Sequence, residues 1–280
     1  MKQASPTMAQ AIDAVPAQTA LRAHWPEYLS ELGGLTWVMV AAGAIAAVLW
    51  YPESPIARAV TAEPARRLLM GLGMSTAVVA FVYSPWGKRS GAHLNPAITL
   101  SFLYLRKIRA RDAALYMAAQ FCGALLGMGI FSWLAGPWAA DAHVNYIVTA
   151  PGRGIAAAFV AELLITFAMM LLVLVASNAA RLRHLTGILA GVLLATLITF
   201  ESPISGTSLN PARSFGSAAV AGQWTALWLY FTAPPAGALL AAFAYAHGFG
   251  LPVICAKLEH PAGGPGHLNC IFRCGYRRRT

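Results

Sequence analysis

Two stretches of this 280-residue chain carry nearly the same residues in the same order. Residues 90–97 read Ser-Gly-Ala-His-Leu-Asn-Pro-Ala and residues 205–212 read Ser-Gly-Thr-Ser-Leu-Asn-Pro-Ala, six identities in eight positions at an offset of 115. Asn is a favoured N-cap and Pro a favoured first helical residue, so Asn95-Pro96-Ala97 and Asn210-Pro211-Ala212 each open a helix. A single copy would mean no more than a helix start. A helix N-terminus carries roughly half a positive charge together with unpaired N–H groups. Two such ends aimed at one point repel cations. The amides of Asn95 and Asn210 there would orient a passing water so that it cannot relay a proton in both directions. Glu31 and Glu162 are the other chemically loaded positions: each sits in a long apolar stretch and is followed by a threonine, Thr36 or Thr166. An acid buried in this way is either a fixed acceptor or a proton relay, and the matched placement of the two favours the acceptor.

The elements that must position these residues follow from composition. Hydrophobic residues make up 58% of the chain and charged ones 11%, against about 25% charged in a soluble domain. Stretches without Asp, Glu, Lys or Arg run 32–52, 68–87, 113–140, 184–200 and 214–256, and 154–180 contains only Glu162. A bilayer core needs about 20 helical residues, so these read as membrane spans. The last stretch divides into a half-length segment at 210–221 and a full helix at 224–247, and 95–105 is the matching half-segment. The expected fold is all-α, with six full helices and two re-entrant half-helices. Gly123-Ala124-Leu125-Leu126 recurs as Gly237-Ala238-Leu239-Leu240, which extends the duplication to 29–135 and 155–247 around a linker at 136–154. Each copy has three full spans, so the second enters the membrane inverted, and inverted repeats place their site near the midplane. The remainder is a polar N-terminal segment, 1–28, in which no cleaved signal is expected, and a basic tail, 248–280.

The formal charge of +10 would point to nucleic acid in a soluble protein; here it reports loops facing anionic lipid, and no nucleic-acid partner is expected. With the N-terminus inside, only Arg58, Arg66, Arg67, Arg153 and Arg213 of the 20 basic residues lie on or toward the far side. Both termini are then cytoplasmic, in a multi-pass protein of the cell membrane.

The duplicated Asn-Pro-Ala, the run Asn210-Pro211-Ala212-Arg213-Ser214 and the paired glutamates resemble the aquaporin, or major intrinsic protein, family over about residues 29–247. That resemblance implies a homotetramer of right-handed bundles with one pore per subunit, Glu31 and Glu162 bracing the re-entrant loops, and a four-residue selectivity filter. The filter positions carried over are Ser75, Ile198, Thr207 and Arg213, with Met74 in place of Ser75 if the register slips at the unusual Ser84-Pro85-Trp86-Gly87 segment. Water-selective members carry Phe and His where this chain has Ser75 and Ile198, so the filter is expected to be wider and less polar. Ser214, Ala218, Tyr230 and Phe231 match the water-type choices. The resemblance thus implies a passive, proton-excluding water channel, leaky to small neutral solutes such as ammonia, hydrogen peroxide or urea, or else a facilitator chiefly for ammonia, hydrogen peroxide, urea or glycerol.

No nucleotide loop, nucleophile triad or catalytic acid pair is present, so neither an enzyme nor a cofactor is expected. Cys255, His260, His267, Cys270 and Cys274 lack a standard zinc spacing, and the tail reads as a basic segment lying on anionic lipid rather than a metal site. An ion-coupled carrier would need an acid in the substrate path, and the embedded candidates are Glu31, Glu162 and, at a span end, Glu201.

Overall fold

The computed structural model describes residues 17–250, 257 and 270–272. Its main elements are α1 (Ala17–Trp50), α2 (Glu63–Tyr83), α3 (Pro96–Tyr104), α4 (Ala110–Ala135), α5 (Ile155–Asn178), α6 (Thr186–Ser205), α7 (Pro211–Ala221) and α8 (Leu227–Phe249). All but α3 and α7 contain a stretch long and apolar enough to cross a membrane. Large apolar side chains such as Trp133, Leu164, Val192 and Phe200 point outward, as a lipid-facing surface requires. Ser84 ends α2 and then caps the short helix Pro85–Ser90 by accepting from the Gly87 N–H at 3.1 Å.

The inverted repeat is visible in the packing. α1 lies along α4 as α5 lies along α8, α2 meets α6 across the repeat boundary, and each half-helix packs on the last helix of the other repeat, α3 on α8 and α7 on α4. The close crossings need glycine at matched places. A methyl on Gly123 would stand 2.3 Å from the Leu32 carbonyl oxygen, and one on Gly237 2.2 Å from that of Leu163.

Two features add to the sequence expectation. α1 starts at Ala17, inside the segment assigned to a separate N-terminal piece, because its polar first turns are tied to α4: Tyr28 Oη donates to Asp112 Oδ1 at 2.6 Å, and His24 Nδ1 lies 3.3 Å from the same oxygen. The tail does not lie on lipid throughout. Ile271 and Phe272 are buried, Phe272 forms an antiparallel bridge with Ile108, and its ring centroid is 5.2 Å from that of His93. Lys257 Nζ is 3.4 Å from Glu27 Oε1. Cys255, His260, His267 and Cys274 lie outside the described residues.

Candidate functional site

One cavity of about 690 Å³ runs through the bundle, lined by Trp50, Glu63, Arg67 and His143 toward one end and by Val173, Ser177, Arg183 and Thr186 toward the other. Its middle is made by the two half-helix starts and the loops that lead into them, Gly91–Asn95 and Gly206–Asn210. Asn95 Oδ1 accepts from the Ala97 N–H at 2.8 Å, and Asn210 Oδ1 accepts from those of Ala212 and Arg213 at 3.0 and 3.3 Å. Each Asn thereby caps its own helix. Each also crosses to the other repeat: Asn95 Nδ2 donates to the Leu209 carbonyl and Asn210 Nδ2 to the Leu94 carbonyl, both at 2.7 Å. An amide nitrogen has two hydrogens, so one remains on each Asn for the cavity.

The loops that carry these asparagines hold an unfavourable backbone. Ala92 and Leu94 have φ of 47° and 49°, and Thr207 and Leu209 have 48° and 53°, in the left-handed region where a side chain is costly. The buried glutamates hold this shape. Glu31 accepts from the His93 N–H at 3.0 Å through Oε1, and through Oε2 from the Leu94 N–H at 2.6 Å and Gln120 Nε2 at 2.8 Å. Glu162 accepts from the Ser208 N–H at 2.6 Å and Ser205 Oγ at 2.7 Å through Oε1, and from the Leu209 N–H at 2.8 Å through Oε2. Two tyrosines complete the pattern, Tyr116 donating to the Ser90 carbonyl at 2.8 Å and Tyr230 to that of Ser205 at 2.7 Å. Sequence reasoning passed over Gln120, Tyr116 and the serine pair as supports. The offset of 115 that matched the motifs would have paired Ser90 with Ser205.

The four carried-over filter positions do not all meet. Arg213, Thr207 and Ile198 line the cavity, and of the two candidates on α2 it is Met74, not Ser75, that does so. Ser75 turns toward α6, where a methyl on Gly191 would stand 2.7 Å from its Oγ. The lining residues of α2 recur as Met70, Met74, Val78 and Val82, one helical stripe, and Ser75 is about 100° away from it. Arg213 Nη1 donates to the Ile147 carbonyl at 2.8 Å, which anchors the guanidinium to the linker. Thr207 lines the cavity, but its Oγ1 donates to Glu201 Oε2 at 2.5 Å. Of the water-type positions, Ser214 Oγ is 2.5 Å from Ser208 Oγ and 2.7 Å from Thr149 Oγ1, Ala218 and Tyr230 are buried, and Phe231 stacks on Phe121. In the linker, the His143 N–H and ring, each 2.9 Å from Asp141 Oδ1, hold the Asp141 carboxyl below the usual carboxylate range.

Comparison with known proteins follows the same lines. The Major intrinsic protein family profile matches residues 18–245. Aquaporin NIP1-4 of Oryza sativa subsp. japonica is 37% identical over 177 residues, 63% of this chain and 63% of that protein. The glycerol uptake facilitator protein-like 6 of Lactiplantibacillus plantarum is 37% identical over 179 residues, 63% of this chain and 82% of that protein. The matched part thus spans under two thirds of the length of the rice relative. In three dimensions the chain resembles the X-ray structure of the aquaglyceroporin from Plasmodium falciparum, with a TM-score of 0.68, 20% identity, and coverage of 84% of this chain and 100% of that one. That likeness shows the shared fold. Six apolar helices arranged as an inverted repeat around paired Asn-Pro-Ala helix starts, with the profile spanning nearly all of them, make this an integral, multi-pass membrane protein of the major intrinsic protein family.

Proposed function

We propose that the protein is a passive, proton-excluding channel for water that also admits small neutral solutes. The observation that carries this is the crossed pair of Asn95 and Asn210, each capping its half-helix while lining one continuous cavity. The two N-terminal dipoles act against cations there, and the remaining amide hydrogens orient a solute oxygen. Arg213, Thr207, Ile198 and Met74 are the selectivity filter in this reading. Methionine and isoleucine make two of its walls apolar, and Arg213 supplies a fixed charge and a donor fork.

Breadth beyond water fits both the missing aromatic and imidazole walls and the range of printed names among the relatives, from plant aquaporins to a bacterial glycerol facilitator. Every oxygen of Glu31 and Glu162 accepts from a loop N–H, which supports bracing over a proton relay and a channel over an ion-coupled carrier. The uneven distribution of basic residues supports cytoplasmic termini in the cell membrane, and a homotetramer is the expected assembly.

Stopped-flow light scattering on proteoliposomes, with water, urea, glycerol and ammonia compared and no ion gradient present, tests the reading. Osmotic shrinkage well above that of empty vesicles is expected, with no dissipation of an imposed proton gradient. Shrinkage equal to that of empty vesicles from folded, reconstituted protein overturns it.

A further inference from the structure

Glu201 lies in the last turn of α6, is 8% exposed, and has no counterpart in the first repeat, where the offset of 115 leads to Trp86. It breaks the symmetry of the site at the filter. Its Oε1 is 2.6 Å from Ser205 Oγ, which is also 2.7 Å from Glu162 Oε1 and accepts from the Thr207 N–H at 3.2 Å. A serine hydroxyl has one hydrogen. It can donate to one carboxylate only, and a second ionised carboxylate at 2.6 Å would set lone pair against lone pair, so one of the two acids carries a proton.

The neighbours decide which. Both oxygens of Glu162 accept from backbone N–H groups, which cannot reverse direction and favour the charged form. The side-chain partners of Glu201 are the hydroxyls of Ser205 and Thr207, which can turn. With the proton on Glu201 Oε1, every hydrogen is placed: Glu201 donates to Ser205, Ser205 to Glu162, and Thr207 Oγ1 to Glu201 Oε2. The ionisable groups facing this chain are Glu162 of α5, Arg213 of α7 and Tyr230 of α8.

Resting on the channel reading above, we infer that Glu201 is held as a neutral acid and is a positioning residue for Thr207, turning the threonine hydroxyl away from the pore. The filter wall at Thr207 then offers no hydroxyl donor. Thr207 is also kept in its left-handed conformation, φ 48°, by a chain of bonds that ends on Glu162. Specificity toward solutes with several acceptors, such as urea and glycerol, depends on that hydroxyl staying withdrawn.

Proteoliposome permeability and infrared spectroscopy test this together. In Glu201→Ala the freed hydroxyl and the space beside it should raise the urea-to-water permeability ratio roughly fivefold, the factor that one hydrogen bond commands. Glu201→Gln should keep the wild-type ratio, because its amide nitrogen donates to Ser205 and its oxygen accepts from Thr207 as the neutral acid does. At neutral pH the wild type should show a buried carboxylic-acid C=O band that Glu201→Gln lacks. In a Thr207→Val background, which keeps the shape but has no hydroxyl to free, Glu201→Ala should no longer raise the ratio. Absence of the acid band, a Gln variant that behaves like the Ala variant, an Ala variant with the wild-type ratio, or a rise on Glu201→Ala that persists in the Thr207→Val background overturns the inference. If Glu201→Ala does not fold, the acid band and the ratio in Glu201→Gln decide. Wild-type vesicles that pass no water would overturn the channel reading alone, since the acid band is read without transport.

Discussion

Met74 and Ile198 face the same cavity as Arg213 and Thr207, and what passes between them depends on bulk and on charge separately. An aromatic ring at 74 narrows the passage, and an imidazole at 198 adds a donor. The pair Met74→Phe with Ile198→His should therefore lower urea and glycerol flux about tenfold while water flux stays nearer the wild-type value, read as permeability ratios in proteoliposomes. Ser75→Phe should act on folding instead, because it drives a ring into the α2–α6 crossing at Gly191. Arg213→Ala removes the fixed positive charge where water screens it least, and conductance measurements should detect cation leak. An unchanged urea-to-water ratio in the double variant would place the constriction elsewhere.

At the scale of elements, the half-helices are too short to hold themselves. α3 has nine residues and α7 eleven, and an isolated helix of that length is marginal in water. They are held by their asparagine caps, by packing on the opposite repeat and by the glutamates beneath their entry loops. Replacing Glu162 by Gln puts an NH₂ group against a backbone N–H that has no other acceptor. The buried mismatch costs about 2 kcal/mol. Glu162→Gln and Glu31→Gln should accordingly lower the apparent melting temperature and the folded yield in detergent, while the permeability per folded channel changes little. A Glu162→Gln protein that folds normally and passes nothing would make the acid a participant in transport.

Across the whole molecule, the two repeats are interlocked rather than adjacent: each half-helix leans on the other repeat, and the two asparagines are tied across the boundary. Neither repeat can therefore complete its own site. The C-terminal segment adds a tie to this body, since Phe272 packs against His93 and Tyr116, with ring centroids at 5.2 and 6.1 Å, and His93 lines the cavity. Phe272→Ala should destabilise the protein by about 3 kcal/mol, seen as a lower midpoint in thermal unfolding. A midpoint equal to that of the wild type would mean that the tail contributes nothing to the folded body.

The all-α class, the membrane spans, both half-helix starts and the inverted duplication were legible in the sequence, because a bilayer core imposes a minimum apolar length and a helix start has its own residue chemistry. The two asparagines and two glutamates stood out for the same local reason, as matched polar residues in apolar surroundings. What lay beyond the sequence was relative rotation and distance. Ser75 and Met74 are neighbours in the chain, and only the packing of α2 on α6 turns Met74 to the cavity and Ser75 to Gly191. Glu201 read as an acid at a span end until folding brought it within 2.6 Å of Ser205 and so beside Glu162, far along the chain. Phe272 read as part of a basic tail, and its burial follows from a pocket that His93, Ile108 and Tyr116 form only once α3 and α4 are in place. Helix formation is governed by nearby residues, whereas which face looks inward and which hydroxyl finds which carboxylate are properties of the assembled bundle.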